Sequence, residues 1–322
     1  MRAYVYGADG AAINDVAKPS PTGTQVRVRV RACGLNRADL GMTKGHVHGS
    51  AGGAGTVLGM EFAGEVEALG DAATGVAVGD RVMGSGAAAF ADYTLADHGR
   101  LFTIPSGMEF AEAATLPVAL TTMHNALVSN GGLQAGQAVL IQGASSGVGL
   151  MALQIAKLKG AAPLIGSSTD APRRAQLSRF GADLAIDSAS PGWVDQVLQA
   201  TGGHGVDLLI DQVSGPLANA NLAATKITGR IVNVGRLGGN HGDFNFDLHA
   251  ARRISYIGVT FRSRSLAEIR EIFRLVGEDL WPAVQSGLLK LPIDRVFPFA
   301  EIGDAFRHME ANRHLGKIVV TL

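Results

Sequence analysis

Alternating apolar and polar residues mark the first predicted elements of the chain. Residues Gln25–Arg31 read Gln-Val-Arg-Val-Arg-Val-Arg, and this strict alternation predicts a strand with one buried face. A second strand is predicted over Glu61–Leu69, with Gly64 at a bulge. Between them, Gly41–Gly55 is rich in Gly, Ser and His, which predicts a mobile loop. A helical pattern follows over Phe110–Leu116, so the first part of the chain is mainly β-structure.

From Ala138 onwards, short apolar runs alternate with helical stretches. The strands predicted from these runs are Ala138–Gln142, Pro163–Gly166, Leu184–Ile186, Val206–Asp211, Arg230–Val234 and Ile254–Phe261. Strands that alternate with helices in this way predict a doubly wound parallel sheet, and so an α/β fold.

After this stretch the pattern becomes mixed again. A helix near Leu266–Val276, a strand over Arg295–Pro298, a helix over Ile302–Glu310 and a final strand over Lys317–Leu322 are predicted. The pattern changes at about residues 119 and 260. We therefore predict one domain over 119–260 and a second domain made of 1–118 and 261–322.

Composition narrows the possible functions. Lys and Arg together number 28 and Asp and Glu number 28, so the basic excess of a typical nucleic-acid-binding protein is missing, and no nucleic-acid partner is expected. The single cysteine, Cys33, allows neither an intrachain disulfide nor a cysteine-rich zinc site. No signal peptide and no membrane-spanning apolar run are recognisable, so a soluble cytoplasmic protein is expected.

A glycine-rich turn carries the strongest chemical signal. It reads Gly143-Ala-Ser-Ser-Gly-Val-Gly149, directly after a predicted strand and directly before a predicted helix. Glycines allow the sharp bend and let a pyrophosphate approach the N–H groups at the helix start. A plain tight turn would explain the glycines alone, but the strand–turn–helix context favours a dinucleotide site. The predicted contacts are Gly143, Ser145, Ser146, Gly147 and Val148.

The end of the next strand indicates which dinucleotide binds. NAD sites usually place a carboxylate there, about 20 residues after the turn, to bind the adenosine ribose. Here the strand ends in Ser167 and Ser168, and Arg173 and Arg174 follow on the next helix. Serine hydroxyls and an arginine suit the 2′-phosphate of NADPH, because Arg makes charge-assisted contacts with phosphate. We therefore predict NADPH as the cofactor, although a solvated helix start would also carry such an arginine.

A short-chain dehydrogenase would also contain a similar turn. That family begins its chain with the turn and has a Tyr-x-x-x-Lys pair further on. None of the four tyrosines, Tyr4, Tyr6, Tyr93 and Tyr256, has a lysine four positions later, and more than a hundred residues precede the turn. The short-chain family is therefore excluded.

Ordered motifs along the whole chain carry a different resemblance. They are Ala32–Leu40, Gly59–Gly64 and Gly79–Val82 before the turn, Gly131–Gly136 leading into it, and Phe180–Asp183, Gly205–Asp207 and Gly316–Val320 after it. In these motifs the chain resembles the medium-chain dehydrogenase/reductase superfamily, and within it the zinc-free quinone oxidoreductases similar to zeta-crystallin. The resemblance implies a GroES-like β-barrel catalytic domain, made of both chain ends, and a Rossmann cofactor-binding domain.

The resemblance also implies that no catalytic metal is bound. Zinc-dependent alcohol dehydrogenases of this superfamily have a cysteine ligand where this chain has Asn36, and a histidine ligand where it has Met60. Neither residue is a normal zinc ligand. His46 and His48 lack an evident third ligand, so a polar loop is the simpler interpretation and no metal is predicted.

The implied activity is hydride transfer from NADPH to a quinone or another α,β-unsaturated carbonyl. Such a reaction depends mainly on the positioning of two flat rings, so no catalytic side chain is assigned. By resemblance, Asn36, Thr122 and the Val234–Gly235 backbone lie near the cofactor, and a homodimer forms through the strand Arg253–Phe261. Two alternatives stay open: an enoyl-thioester reductase, and a non-enzymatic NADPH-binding structural or RNA-associated protein. The usual proton-donating tyrosine of enoyl-thioester reductases is missing.

Overall fold

The computed structural model describes residues 1–49 and 51–322; Ser50, in the predicted Gly41–Gly55 loop, lies outside the described residues. The described residues form two compact units. The β-rich unit contains Met1–Thr121 and Phe261–Leu322, and the α/β unit contains Thr122–Thr260. No helix among the described residues is long and apolar enough to cross a membrane.

The first part of the β-rich unit contains ten strands and two short helices among its described residues. They are β1 (Arg2–Gly7), β2 (Gly10–Asp15), β3 (Gln25–Gly34), α1 (Arg37–Met42), β4 (Val47–His48), β5 (Ala51–Gly52), β6 (Thr56–Val57), β7 (Glu61–Leu69), β8 (Arg81–Ser85), β9 (Tyr93–Asp97), β10 (Leu101–Thr103) and α2 (Phe110–Ala113). Helix α3 (Pro117–His124) leads into the α/β unit.

The final segment completes the β-rich unit. It follows the α/β unit along the chain and contains α9 (Leu266–Gln285), β17 (Ile293–Pro298), α10 (Ile302–Glu310) and β18 (Lys317–Thr321). The main sheet runs in the order β10-β8-β7-β3-β18-β17, with β9 also paired to β3. Because β18 pairs with β3, the last strand of the chain is joined to the first part of the sequence.

The predicted strands over Gln25–Arg31 and Glu61–Leu69 are confirmed as β3 and β7, which pair antiparallel. The alternation works as predicted, because Val26, Val28 and Val30 are buried in the core. Gly64 is not itself the extra residue of a bulge. Instead, Arg31 of β3 is unpaired between Val30, opposite Gly64, and Ala32. A side chain at Gly64 would place its Cβ 2.1 Å from the Arg29 carbonyl oxygen, so close approach of the strands explains this glycine.

Two predictions for this unit need correction. The Gly41–Gly55 segment is not simply a loop, because Val47 pairs with Gly52 and His48 pairs with Ala51 in a short hairpin. The predicted helix over Phe110–Leu116 ends at Ala113, and a new helix begins at Pro117. Proline favours the first position of a helix, since its fixed φ suits that position and its missing N–H is not needed there.

The α/β unit alternates strands and helices. They are β11 (Val139–Ile141), α4 (Gly147–Leu158), β12 (Leu164–Ser167), α5 (Ala171–Arg174), β13 (Leu184–Ile186), α6 (Trp193–Ala200), β14 (Val206–Asp211), α7 (Ala218–Ala224), β15 (Thr225–Asn233), α8 (Phe246–Arg252) and β16 (Ser255–Gly258). All pairings in this sheet are parallel, in the order β13-β12-β11-β14-β15-β16. The predicted Rossmann-type α/β fold is confirmed.

The ends of this sheet differ from the prediction in two places. Strand β15 begins at Thr225, five residues before the predicted Arg230, because Thr225 already pairs with Val206 and the residues 226–229 bulge out before Arg230 pairs with Leu208. Strand β16 contains only Ser255–Gly258, whereas Ile254–Phe261 was predicted. It forms an edge of the sheet, and Tyr256 on it is exposed.

Candidate active site

The glycine-rich turn between β11 and α4 has the geometry of a pyrophosphate cradle. Gly143 has φ of 70°, a conformation that favours glycine. A Cβ on Gly149 would lie 2.6 Å from the Gly143 carbonyl oxygen, so the first turn of α4 packs directly on the loop. Ser146 caps the helix, because its hydroxyl accepts a hydrogen bond from the Gly149 N–H at 3.0 Å. The N–H groups of Gly147 and Val148 therefore stand at the start of a well-formed helix.

The position of this turn in the sheet also suits a dinucleotide. Strand β11 has β12 on one side and β14 on the other, so the chain reverses its direction of progress across the sheet at this point. Ligands of doubly wound sheets bind outside the carboxyl ends of the strands at such a switch point. The first N–H groups of a helix have no acceptor within the helix and attract anions. The residues present thus fit the diphosphate of a nicotinamide dinucleotide.

A buried network of side chains, which the sequence pattern did not predict, lies beneath the turn. The Gln142 amide donates to Asn221 Oδ1 at 2.9 Å, and its carbonyl oxygen accepts from the Ser167 hydroxyl at 2.5 Å. Gln212 Nε2 donates to the Gln142 backbone oxygen, and its Oε1 accepts from the Ser146 hydroxyl at 3.0 Å. The available signal was a glutamine at the end of each of two apolar strands.

The two serines that were predicted to contact the 2′-phosphate are both buried. Ser167 has no exposed surface, and its hydroxyl accepts from the Gly143 N–H at 3.0 Å. A direct contact between Ser167 and a 2′-phosphate would require these internal hydrogen bonds to change. Ser168 lies with its hydroxyl 2.9 Å from that of Ser145, which places two predicted contacts side by side.

The two arginines after β12 have different partners. The Arg174 guanidinium donates to the Ser168 carbonyl oxygen at 2.8 Å and to Asp187 at 3.1 Å. Arg173 has its Nε 3.4 Å from Asp170, which also caps α5 through the Arg173 N–H. Arg174 therefore holds the strand end in place, whereas the mostly buried Arg173 side chain lies beside the helix-capping Asp170.

The loops after β14 and β15 meet beside the glycine turn. A Cβ on Gly143 would lie 3.5 Å from Gln212 and 3.9 Å from Leu237, which belong to these two loops. Gly235 has no room for a side chain, since its Cβ would lie 2.7 Å from the Gln212 carbonyl oxygen. Asp211 is fully buried at the end of β14, and burial raises the pKa of its carboxyl. The N–H groups of Ser214 and Val213 donate to this carboxyl and partly offset the rise in its pKa. Val234 and Gly235 are half-buried.

In the β-rich unit, Asn36 is part of a buried polar cluster. Its Nδ2 donates to Glu61 Oε1 at 2.9 Å, and its Oδ1 accepts from the Lys317 ammonium at 2.9 Å. Lys317 also forms an ion pair with Glu61, whose second oxygen accepts from the Val118 N–H at 3.0 Å. We call Asn36, Glu61 and Lys317 the Asn36 cluster. Of these three residues, the sequence pattern singled out only Asn36.

Two other titratable groups lie close to the Asn36 cluster. Asp39 has no exposed surface and caps α1 by accepting from the Asn36 N–H at 2.8 Å. Burial raises the pKa of Asp39 to about 7, and the Glu61 carboxylate adds to this, while the Asn36 N–H and Lys317 oppose it. Cys33 is buried, and its Sγ donates to the Ala89 carbonyl oxygen at 3.0 Å. Burial raises the pKa of this thiol well above its usual value.

His46, His48 and Thr122 are the other side chains that the sequence singled out. Among the described residues no three His, Cys, Asp or Glu side chains are grouped to hold a metal ion. His46 is exposed, and His48 is half-buried beside Arg262, so burial and that positive charge lower its pKa. Thr122 is partly exposed on α3, whereas the neighbouring Thr121 bonds to the Pro117 carbonyl oxygen of its own helix.

Comparison with family models gives the class of protein. Residues 22–121 match the alcohol dehydrogenase GroES-like domain, and residues 147–278 match the zinc-binding dehydrogenase domain. Together with the fold and the glycine turn, these matches show that the chain belongs to the medium-chain dehydrogenase/reductase superfamily of NAD(P)-dependent oxidoreductases.

Large polyketide synthases are among the curated proteins that resemble this chain. The chain is 33% identical over 316 residues to the phenolphthiocerol/phthiocerol polyketide synthase of Mycobacterium tuberculosis, covering 98% of this chain but 14% of that protein. It is also 33% identical over 316 residues to erythronolide synthase EryA2 of Saccharopolyspora erythraea, covering 95% of this chain and 8% of that protein. The chain thus spans only a small part of the length of these relatives.

Solved structures of similar size have the same fold along their whole length. The quinone oxidoreductase of Pseudomonas syringae pv. Tomato DC3000 superposes with a TM-score of 0.89 at 25% identity, covering 100% of both chains. The CurK enoyl reductase superposes with a TM-score of 0.87 at 27% identity, covering 99% of both chains. The fold class predicted from the sequence, a GroES-like domain with a Rossmann domain, is confirmed by these matches.

Proposed function

We propose that this protein is a zinc-independent reductase that transfers hydride from NADPH to quinones or other α,β-unsaturated carbonyls. The observation that carries the proposal is the Asn36 cluster. In the position that resemblance gives to a zinc ligand, the Asn36 amide is bonded at its oxygen to the Lys317 ammonium and at its nitrogen to Glu61.

The electrostatics of the Asn36 cluster support a site without zinc. Lys317 already supplies a positive charge that pairs with the buried Glu61 carboxylate. The ammonium also donates to the Asn36 amide oxygen, so it occupies the atom that a cation beside Asn36 would need and neutralises the carboxylate that would attract one. Asn36 and Met60 also offer an amide and a thioether, which are poor zinc ligands. Without a Lewis acid, the favoured acceptors are conjugated carbonyls, which take hydride with less polarisation.

The α/β unit supports the cofactor assignment. Bound NADPH supplies the hydride at its nicotinamide ring. The chain itself contributes the N–H groups of the glycine turn for the diphosphate, and Ser168 and Arg173 for the 2′-phosphate. The loops after β14 and β15 contribute backbone groups beside the turn. Catalysis by this set of residues rests on orientation of the two reactants, which alone is a large rate factor.

An enoyl-thioester reductase is the second candidate. It is favoured by the similarity to polyketide synthases and to the CurK enoyl reductase. The loop that follows Asn36 contains no tyrosine over 37–60. Tyr6 of β1 nevertheless reaches this loop, because a Cβ on Gly45 would lie 2.6 Å from the Tyr6 hydroxyl oxygen. Tyr6→Phe therefore tests whether a tyrosine from another strand donates the proton.

A panel of acceptors distinguishes these functions. NADPH oxidation is measured with simple quinones, enones and enoyl thioesters. We expect the highest kcat/KM for quinones or enones, with Tyr6→Phe unchanged within about twofold. Highest kcat/KM for enoyl thioesters, with a loss of about 10²-fold or more in Tyr6→Phe, would establish the second candidate instead. Binding of NADPH without turnover of any acceptor would favour the non-enzymatic alternative.

Metal analysis and chelation test the zinc-free assignment. Elemental analysis of the purified protein should find no stoichiometric zinc, and chelators should leave the turnover of the best acceptor unchanged. Loss of activity with a chelator, restored by added zinc, would contradict the assignment.

We also propose that the protein is a homodimer through β16. Edge strands present unpaired backbone groups and so invite pairing with a second copy. A Cβ on Gly258 would have no atom within 4 Å, so Gly258→Lys places a charge at this edge without disturbing the fold. Sedimentation at micromolar concentration should show a dimer for the wild type and a monomer for Gly258→Lys. Gly192→Lys, at another open glycine, is the control and should stay dimeric.

A further inference from the structure

Ser214, in the loop after β14, has a backbone conformation that residues with a side chain rarely adopt. Its φ is 61° and its ψ is −152°, a region that is essentially reserved for glycine. The next residue, Gly215, also has a positive φ of 51°. Nothing in the local sequence pattern marks Ser214 as a functional residue. Residues held in such conformations persist only where their surroundings fix them, and they cluster at functional sites.

Hydrogen bonds on both sides of Ser214 fix this conformation. Its N–H donates to the buried Asp211 carboxylate at 2.8 Å. Its hydroxyl donates to the Gly235 carbonyl oxygen at 2.7 Å and accepts from the Asn233 side-chain amide. Ser214 is 8% exposed, so these partners are not replaced by water. The hydroxyl thus ties the loop after β14 to the loop after β15.

The bond to Gly235 has a consequence for the next peptide unit. A trans peptide is planar, and its C=O and N–H point in opposite directions. When Ser214 holds the Gly235 oxygen, the N–H of Arg236 is directed away from Ser214. Gly235 has no side chain that could hold this peptide in another orientation. A Cβ at this position would clash with the Gln212 carbonyl oxygen. Ser214 therefore sets the direction of a backbone donor in a loop that borders the glycine turn.

We propose that Ser214 is a positioning residue that orients the Gly235–Arg236 peptide towards the nicotinamide end of the cofactor. The ligand chemistry is a primary carboxamide, whose carbonyl oxygen suits a backbone N–H. This inference rests on the proposed function, because it assumes a nicotinamide dinucleotide at the glycine turn. The 2′-phosphate end of the cofactor is assigned to Ser168 and Arg173 after β12, which lies on the other side of β11 from β14, so its binding should not depend on Ser214.

Two probes separate the two halves of the cofactor. NADPH contains the nicotinamide, whereas 2′-phospho-ADP-ribose is the same molecule without it. In Ser214→Ala we expect the affinity for NADPH to fall about tenfold, the scale of one buried hydrogen bond, and that for 2′-phospho-ADP-ribose to change less than twofold. Single-turnover hydride transfer to the best acceptor should also slow by about tenfold or more, since the ring is no longer held in line.

Two further variants control for folding and strain. Ser214→Gly removes the same hydroxyl while it relaxes the backbone, so it should show the same loss even if Ser214→Ala proves unstable. Thr228→Gly relaxes a strained residue of the same unit, with φ of 63°, in the exposed segment 226–228 that bulges out of β15. It should leave both affinities and the hydride-transfer rate at wild-type values.

The outcomes separate this inference from the proposed function. Equal losses for both probes in Ser214→Ala and Ser214→Gly would mean a merely structural role, and unchanged binding and hydride transfer would mean no role; either result overturns the inference alone. If the wild-type protein binds neither NADPH nor 2′-phospho-ADP-ribose, the proposed function fails and the inference fails with it.

Discussion

Lys317 and Glu61 form an ion pair across the end of strand β3, over a residue that has no side chain. Glu61 lies opposite Gly34 on one side of β3, and Val319, two residues after Lys317, lies opposite Gly34 on the other. A Cβ on Gly34 would lie 2.6 Å from Glu61 Oε1. The glycine therefore leaves the space in which the two charged side chains meet, with Asn36 bridging them.

The first prediction concerns this ion pair. Lys317→Met should lower the free energy of unfolding by about 3–5 kcal/mol, because it leaves the buried Glu61 carboxylate without its counter-charge. Chemical denaturation measures this loss. The double variant Lys317→Met/Glu61→Gln should be more stable than Lys317→Met alone, since no unpaired charge is left.

An exposed pair provides the control for this prediction. Lys44 pairs with Glu310 at the surface, where both side chains are about half exposed. Lys44→Met should cost less than about 1 kcal/mol. A loss for Lys317→Met no larger than that for Lys44→Met would show that the buried pair is not required for stability.

The second prediction is a pH dependence caused by Asp39. Its pKa is raised to about 7 in the folded protein, above the unfolded value, so the folded state binds the proton more tightly. Its contribution to stability is therefore fully present at acidic pH and is lost as the pH rises from about 4 to about 7. Asp39→Asn keeps an oxygen to accept the Asn36 N–H and does not titrate. The stability of this variant relative to wild type should increase over that pH range by up to about 4 kcal/mol.

Thermal unfolding of both proteins at several pH values tests this assignment. A difference between wild type and Asp39→Asn that stays constant from pH 4 to pH 7 would contradict a raised pKa for Asp39. Glu67→Gln is a suitable comparison, because hydrogen bonds from Lys18 and Arg27 lower the pKa of Glu67 and its titration lies at more acidic pH.

The third prediction uses the strained residue Thr228. A β-branched residue with φ of 63° is a clear outlier, and its hydroxyl contacts only the neighbouring Ile227 carbonyl oxygen among the bonds described. Thr228→Gly should raise the free energy of unfolding by about 0.5–1 kcal/mol, because relief of strain exceeds the entropy that glycine adds to the unfolded chain. Thr103→Gly, at an exposed position of β10, should instead be destabilising. If both glycine variants lose stability equally, the strain at Thr228 is negligible.

Local patterns predicted the elements of this protein better than its side-chain clusters. Strict alternation identified β3, and the apolar runs identified the strands of the parallel sheet, since both signals lie within a few residues of sequence. The Asn36 cluster needs the register of β7, β3 and β18 together, and its members Glu61 and Lys317 are 256 residues apart in sequence. No local pattern contains that information.

In the candidate site too, the sequence predicted the backbone of the glycine turn but not its side-chain hydrogen bonds. Its backbone role could be predicted, because strand, glycines and helix are adjacent in sequence. The directions of the Ser146 and Ser167 hydroxyls could not be predicted, since they depend on the buried Gln212 and Gln142. The hydroxyls of Ser145 and Ser168 instead bond to each other across 23 residues of sequence. Ser167 was predicted as a phosphate contact, and its hydroxyl is instead engaged inside the unit.

The last prediction tests the 2′-phosphate site through two neighbouring arginines. Arg173→Ala should weaken NADPH binding by about 1–3 kcal/mol, the scale of a hydrogen bond to a charged group, and should barely change NADH binding. Arg174→Ala is the matched control, because the Arg174 guanidinium is bonded to Ser168 and Asp187 of the protein itself. Its loss should lower thermal stability and should affect both cofactors alike. Titration of each variant with NADPH and NADH gives the four affinities. Equal losses for NADPH and NADH in Arg173→Ala would remove Arg173 from the phosphate site, and selectivity lost only in Arg174→Ala would assign the phosphate to Arg174 instead.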